Sequence, residues 1–133
     1  MALFSESDLK LLARDTLAMA YLALTLADGT PQVTPLWFDW DGTHIIINTA
    51  RGRVKDKVLK KHPVVALCIT PCDDPYRYIQ IRGRVVEETE EGAYEMICSL
   101  NEKYHGVYEF PKRPEQVRVT YKILPERVES HNG

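Results

Sequence analysis

Two Asp-Gly steps, Asp28-Gly29 and Asp41-Gly42, constrain this chain more than any other feature. Each lies between apolar, strand-like runs, and an Asp-Gly pair readily adopts the backbone of a tight hairpin. Met19 to Ala27, Gln32 to Trp40 and Thr43 to Thr49 therefore read as three consecutive strands, the last with three isoleucines in a row. Strands linked by hairpins are antiparallel neighbours, which favours a closed barrel over a parallel sheet.

The rest of the chain fits that beginning. Ser5 to Asp15 reads as a short helix that Ser5 can cap, with Leu9, Leu11 and Leu12 as its apolar stripe. Val54 to His62 has helical spacing and is ended by Pro63. Val64 to Thr70 is a strand closed by a turn cluster from Pro71 to Pro75. Tyr76 to Glu88 is a longer strand, with Gly83 marking a bulge or a barrel corner. Thr89 to Tyr104 reads as the longest helix, stopped at His105-Gly106. From Val117 to Ile123 apolar and polar residues alternate over a final strand. The expectation is one mainly β domain over residues 1–133, a six-stranded antiparallel barrel with three helices.

At 133 residues the chain is long enough for a self-sufficient core. Its longest apolar runs, such as Met19 to Leu26, fall well short of the roughly 20 residues a membrane span needs. The start has no basic segment followed by an apolar one, so a cytoplasmic location is expected. An odd number of cysteines argues against a disulfide framework. Cys68 and Cys72 are wrongly spaced for a zinc knuckle, and no metal is expected. A net charge of −2 makes the chain a poor partner for nucleic acid or a membrane surface. The distribution of charge says more. Six basic residues between Arg51 and Lys61 face one acid, Asp56, so that segment carries +5 and the remainder −7.

That basic segment begins where a strand ends. Ile47 to Thr49 leads into a short loop, Ala50 to Arg53, and a helix starts at once. First-turn helix amides lack intrahelical partners and attract anions. Thr49 adds a hydroxyl donor, and Arg53 and Lys55 add cations. The arrangement suits a phosphate; a solvated basic face on a surface helix is the alternative.

This strand, small polar residue, loop, basic residue, Lys and helix resemble the phosphate-binding element of the pyridoxamine 5′-phosphate oxidase-like split barrels. Other segments are similar to the deazaflavin-dependent branch of that superfamily: Asp28 to Phe38, Tyr78 to Gly83, Lys103 to Gly106, and Leu124 to Val128. The resemblance implies a split β-barrel that binds coenzyme F-420, with FMN as the alternative, between the protomers of a homodimer. It implies an oxidoreductase passing hydride to a small unsaturated organic substrate. Thr49, Arg53 and Lys55 would hold the cofactor phosphate, with Asn48 and Val54 at the same junction and Arg51 and Lys57 nearby. Arg51, Lys57, Lys60 and Lys61 would offer a basic path to the glutamate tail of F-420. Gln32, Thr34, Pro35, Leu36 and Trp37 would run beneath the ring, and Tyr76 and Tyr78 would approach from the partner. An apolar edge bearing Trp37, Trp40, Tyr76 and Tyr78 would be covered by the second copy.

The chain departs from true pyridoxamine phosphate oxidases, which carry an Arg and a Lys on the second strand. Val33 to Phe38 has neither, and Glu129 to Gly133 has no match to their substrate-binding basic residues, so vitamin B6 oxidation is not expected. No catalytic side chain is assigned, because hydride transfer from a reduced flavin needs no protein nucleophile or base. A flavoprotein or cofactor carrier without turnover remains an alternative. So do a haem-handling barrel, although His44, His62, His105 and His131 form no ligand motif, and an oligonucleotide-binding barrel, against which the net charge argues.

Overall fold

The computed structural model describes residues 3–132; Met1, Ala2 and Gly133, which the sequence reading counted at the two ends, lie outside them. Seven strands form one antiparallel sheet: β1 (Ala18–Thr25), β2 (Pro31–Leu36), β3 (Asp39–Trp40), β4 (Ile45–Ala50), β5 (Val64–Pro71), β6 (Arg77–Thr89) and β7 (Arg118–Asn132). Their order across the sheet is β2-β1-β5-β6-β7-β4-β3. The edge strands are thus β2 and β3, which only Trp37 and Phe38 connect. Such a link reaches roughly 11 Å at most, so the two edges must lie close together. The sheet curls into a split barrel whose seam is the Trp37-Phe38 link.

Seven strands form where six were expected, because Gln32 to Trp40 is not continuous. Phe38 turns fully inward and ends β2, leaving β3 as a two-residue strand against β4. β7 runs well past Ile123 and pairs with almost all of β6, with register shifts beside Gly83 and after Val85. The third helix, α3 (Ala93–His105), starts later than expected, because Thr89 stays in β6 and Gly92 makes the turn at a φ of 73°.

Alternation along the strands builds the core. Ala18, Ala20, Leu22 and Leu24 of β1 point inward with Leu67, Ile69, Ile79 and Ile81. Ile45, Ile47, Val119, Tyr121 and Ile123 complete the far wall. One side is covered by Leu11 and Leu12 of α1 (Glu6–Leu12), and Val58 and Leu59 of α2 (Val54–Lys61) pack on the same core. α1 opens with a capping box between Ser5 and Asp8. The buried Asp8 also accepts hydrogen bonds from Arg77 at 2.9 Å and Ser130 at 2.7 Å, which ties the first helix to β6 and β7.

Gly83 is needed at the bulge. A Cβ there would meet the carbonyl oxygen of Leu124 at 2.6 Å, a backbone contact that cannot swing aside. Gly83→Ala is expected to cost about 1–3 kcal/mol in urea unfolding, the usual penalty of overpacking. Unchanged stability would show that the bulge relaxes freely.

Candidate functional site

Arg53 is the N-cap of α2 and offers no side-chain acceptor to the helix. The amides of Val54, Lys55 and Asp56 therefore face outward without a cap, at the positive end of the helix dipole. Arg53 and Val54 are exposed there, and Lys55 is half-buried. Burial lowers the Lys55 pKa below its ordinary value, and the Arg53 charge lowers it further. A third cation, Arg118 of β7, belongs to the same group. Burial, followed by the Arg53 charge, pushes its pKa down to about 10. Among the described residues, none of these three cations has a carboxylate partner. Cations that raise one another's energy in this way are stabilised by an anion between them.

Arg51 does something else. It was expected beside the phosphate and along the tail path, but its guanidinium meets three carboxylates: Asp56 at 2.9 Å, Glu88 at 2.6 Å and Glu90 at 2.8 Å. It is therefore a structural ion-pair centre, not an available cation. Asp56 is buried at the centre of this network. Its Oδ2 accepts from the Gly52 N–H at 2.9 Å, and its Oδ1 accepts from Tyr121 at 2.6 Å and from Arg51. Gly52 has a φ of 88°, so the loop needs glycine there as well as the anchor. Burial pushes the Asp56 carboxyl up, but donation from Tyr121, Gly52 and Arg51 outweighs it and holds the pKa below the usual carboxylate range. Lys57 is exposed and lies two residues, or about 200°, around the helix from Lys55, so the two do not converge. Thr49 is only 4% exposed and shares its strand face with the core residues Ile45 and Ile47.

A pocket of about 260 Å³ lies at the seam, lined by Met19, Pro35, Leu36, Trp37, Asn48, Ile97 and Leu100. It brings together four residues singled out in the sequence, Pro35, Leu36, Trp37 and Asn48. Met19, Ile97 and Leu100 complete the lining without having been singled out in the sequence, where the first falls in a strand run and the other two in the helix expected over Thr89 to Tyr104. The pocket has no titratable side chain in its lining. Asn48 connects it to the cations: its amide nitrogen donates to the Ala93 carbonyl at 2.8 Å and to Thr120 at 3.1 Å, while its oxygen accepts from Arg118 Nε at 2.9 Å. Arg118 itself was not anticipated, because an outward Arg on an alternating strand reads as a solvated position.

The Trp37 wall is held from behind. Its indole stacks on Tyr104, with centroids 5.3 Å apart and planes within 8°. The Tyr104 hydroxyl donates to the Ala18 carbonyl and accepts the Phe38 N–H at 3.4 Å. Lys103 Nζ donates to the Phe38 carbonyl at 2.8 Å and lies 4.1 Å from the Phe38 ring centroid. Burial pushes the Lys103 pKa down to about 8. The end of α3 therefore grips both polar groups of the seam residue.

The other named residues lie apart from the pocket. Gln32 and Thr34 continue the Leu36 face of β2, half-buried, beyond the pocket wall. Tyr76 is 74% exposed, and Tyr78 stands against His131 at 5.2 Å on the outer face. Trp40 was expected on the same apolar edge, but it packs edge-on against Phe4 at 5.3 Å and borders the core.

Comparison with known proteins accounts for this architecture. The family model for pyridoxamine 5′-phosphate oxidase matches residues 13–132. The chain belongs to the pyridoxamine 5′-phosphate oxidase family. Among solved structures, this family member is similar to an F-420 reductase at 30% identity, with a TM-score of 0.81 over 95% of this chain and 98% of that one. A conserved hypothetical protein from Mycobacterium tuberculosis shares the fold at 23% identity and a TM-score of 0.74, over 97% and 85% of the two chains. So does the flavocytochrome Anf3 of Azotobacter vinelandii, at 15% identity and 0.71, over 98% and 68%. No curated protein sequence matches the chain.

The Asp56 network gives a pH prediction. A carboxylate with a depressed folded-state pKa adds stability that is fully present above about pH 4 and fades as pH falls further. Asp56→Asn should lower stability at neutral pH and make the acid-side fall shallower in urea unfolding at several pH values. Parallel curves for the two proteins would remove Asp56 from that role.

Proposed function

We propose that this chain is an oxidoreductase that binds a flavin-type cofactor at the seam, its ring in the Trp37 pocket and its phosphate at the start of α2. The observation that carries this reading is the continuity of the site. One side chain, Asn48, lines the apolar pocket and also positions Arg118, the guanidinium that shares an electrostatic field with Arg53 and the α2 N-terminus. A planar ring with a phosphate at its end matches that sequence of surfaces. The bound cofactor would supply hydride chemistry, and the protein's part is to orient the ring, exclude water and hold the phosphate. With no acid or base in the pocket lining, a proton needed by the substrate would come from solvent.

Coenzyme F-420 is favoured over FMN for two reasons. The solved F-420 reductase is the relative at 30% identity, and the second strand here lacks the basic pair of the FMN-binding oxidases. With Arg51 engaged by carboxylates, Lys57, Lys60 and Lys61 are left along α2 for the carboxylates of a tail. A small unsaturated organic compound is the substrate class that fits hydride delivery into an apolar pocket.

The cofactor would lie between two copies. The outer face of β2, β1, β5 and β6 exposes Val33 at 65%, with Tyr21, Val64 and Tyr78, and Tyr76 lies just before β6. A second copy removes this apolar area from water. Light scattering is expected to give twice the 15.3 kDa chain mass, and a monomer at micromolar concentration would contradict the shared site.

Lys55→Ala and Arg53→Ala should each weaken F-420 or FMN binding by about 10- to 100-fold in fluorescence titrations, the loss of one charge-assisted hydrogen bond. Folding stability should barely change. Unchanged affinity in both variants would return the segment to a solvated basic face. The advantage of F-420 over FMN should shrink as salt rises, because exposed tail contacts are screened.

A further inference from the structure

Arg118 also borders a second pocket, outside the ring and phosphate sites. This cavity of about 190 Å³ lies between the start of α3 and the chain entering β7, and its lining includes Glu90, Tyr94, Lys112, Arg113, Gln116 and Arg118. Three cations face one carboxylate there, and that carboxylate already accepts from Arg51 at 2.8 Å. The guanidinium of Arg118 is held in orientation rather than left to swing. Its Nε donates to Asn48 at 2.9 Å, one terminal nitrogen donates to Gln116 at 3.3 Å, and the group stands 5.6 Å from the Phe110 ring centroid. Its second terminal nitrogen has no partner among the described residues. Lys112 is drawn in by the Tyr94 ring at 4.8 Å, and that ring is fixed by its hydroxyl, which donates to the Phe110 carbonyl at 2.6 Å.

Gathering three like charges around one small concavity costs free energy unless a counter-charge enters it. The cavity is smaller than the seam pocket and carries three cations in its lining where the seam pocket carries no titratable side chain, so one anionic group suits it better than a ring. The unpartnered terminal nitrogen of this preoriented guanidinium offers charged N–H donors of the kind that carboxylate and phosphate oxygens accept.

We propose that this pocket is an anion-binding subsite, in which Arg118 takes a carboxylate or phosphate group and Lys112 and Arg113 close around it. The inference shares Arg118 with the cofactor reading and goes beyond it, since Lys112, Arg113 and Gln116 belong to neither the ring pocket nor the start of α2.

The test follows the side-chain NMR signal of Arg118 Nε in the full chain during titration with inorganic phosphate and, separately, with succinate. A saturable shift is expected, with the tighter of the two probes telling a phosphoryl ligand from a carboxylate one. Lys112→Ala with Arg113→Ala, both on exposed positions, should weaken the apparent affinity about tenfold. Arg53→Ala with Lys55→Ala should leave the shift in place. A drift that never saturates and is the same with and without Lys112 and Arg113 would overturn the proposal. So would a response that disappears in the Arg53 and Lys55 variant while surviving in the other, because Arg118 would then serve the α2 site alone.

Discussion

The structure depends on how Phe38 is held. Its ring is fully buried, its N–H goes to Tyr104 and its carbonyl accepts from Lys103. This residue and Trp37 are the only covalent link between the two edges of the sheet, so gripping Phe38 fixes how far the barrel opens. Because consecutive residues at the end of α3 do the gripping, the helix that lines the pocket with Ile97 and Leu100 also sets the position of the opposite wall, Trp37. Packing and site geometry are one constraint here. A change at Lys103 or Tyr104 would reach the pocket without touching a ligand.

The electrostatics divide along the same lines. The basic segment after β4 looks uniform in sequence, yet folding splits it. Arg51 is enclosed by Asp56, Glu88 and Glu90 and, with Tyr121, anchors the loop to the barrel. That leaves the start of α2 to Arg53 and Lys55, and β7 brings Arg118 to join them. One set of charges anchors the loop, and the other, among the described residues, has no carboxylate partner. An ion pair centred on a buried carboxylate is costly to break, since removing one partner strands the other.

Much of this was legible in the chain. The Asp-Gly turns, the Pro63 stop and the helix after Arg53 all act through neighbours in sequence, and each marks an element close to where it forms. The run from Pro35 to Trp37, which lines the seam pocket, was also singled out through resemblance. What escaped notice depends on distant partners. The break at Trp37-Phe38 exists because α3 holds Phe38, and no local turn signal marks it. The length of β7 was hidden by Leu124-Pro125, which pairs opposite Gly83, where the bulge makes room for it. Arg51 and Arg118 changed roles for one reason: charge type is written in the sequence, but the identity of the facing carboxylate or amide is set by register across β4, β6 and β7.

The central claim is that a phosphate at the start of α2 anchors a flavin-type ring in the seam pocket. Riboflavin and FMN share the ring and differ by that phosphate, so their affinities isolate it. Parallel fluorescence titrations at low ionic strength are expected to show FMN binding at least about tenfold more tightly than riboflavin, the contribution of one or more charge-assisted hydrogen bonds. Equal affinity of the two ligands would contradict the account.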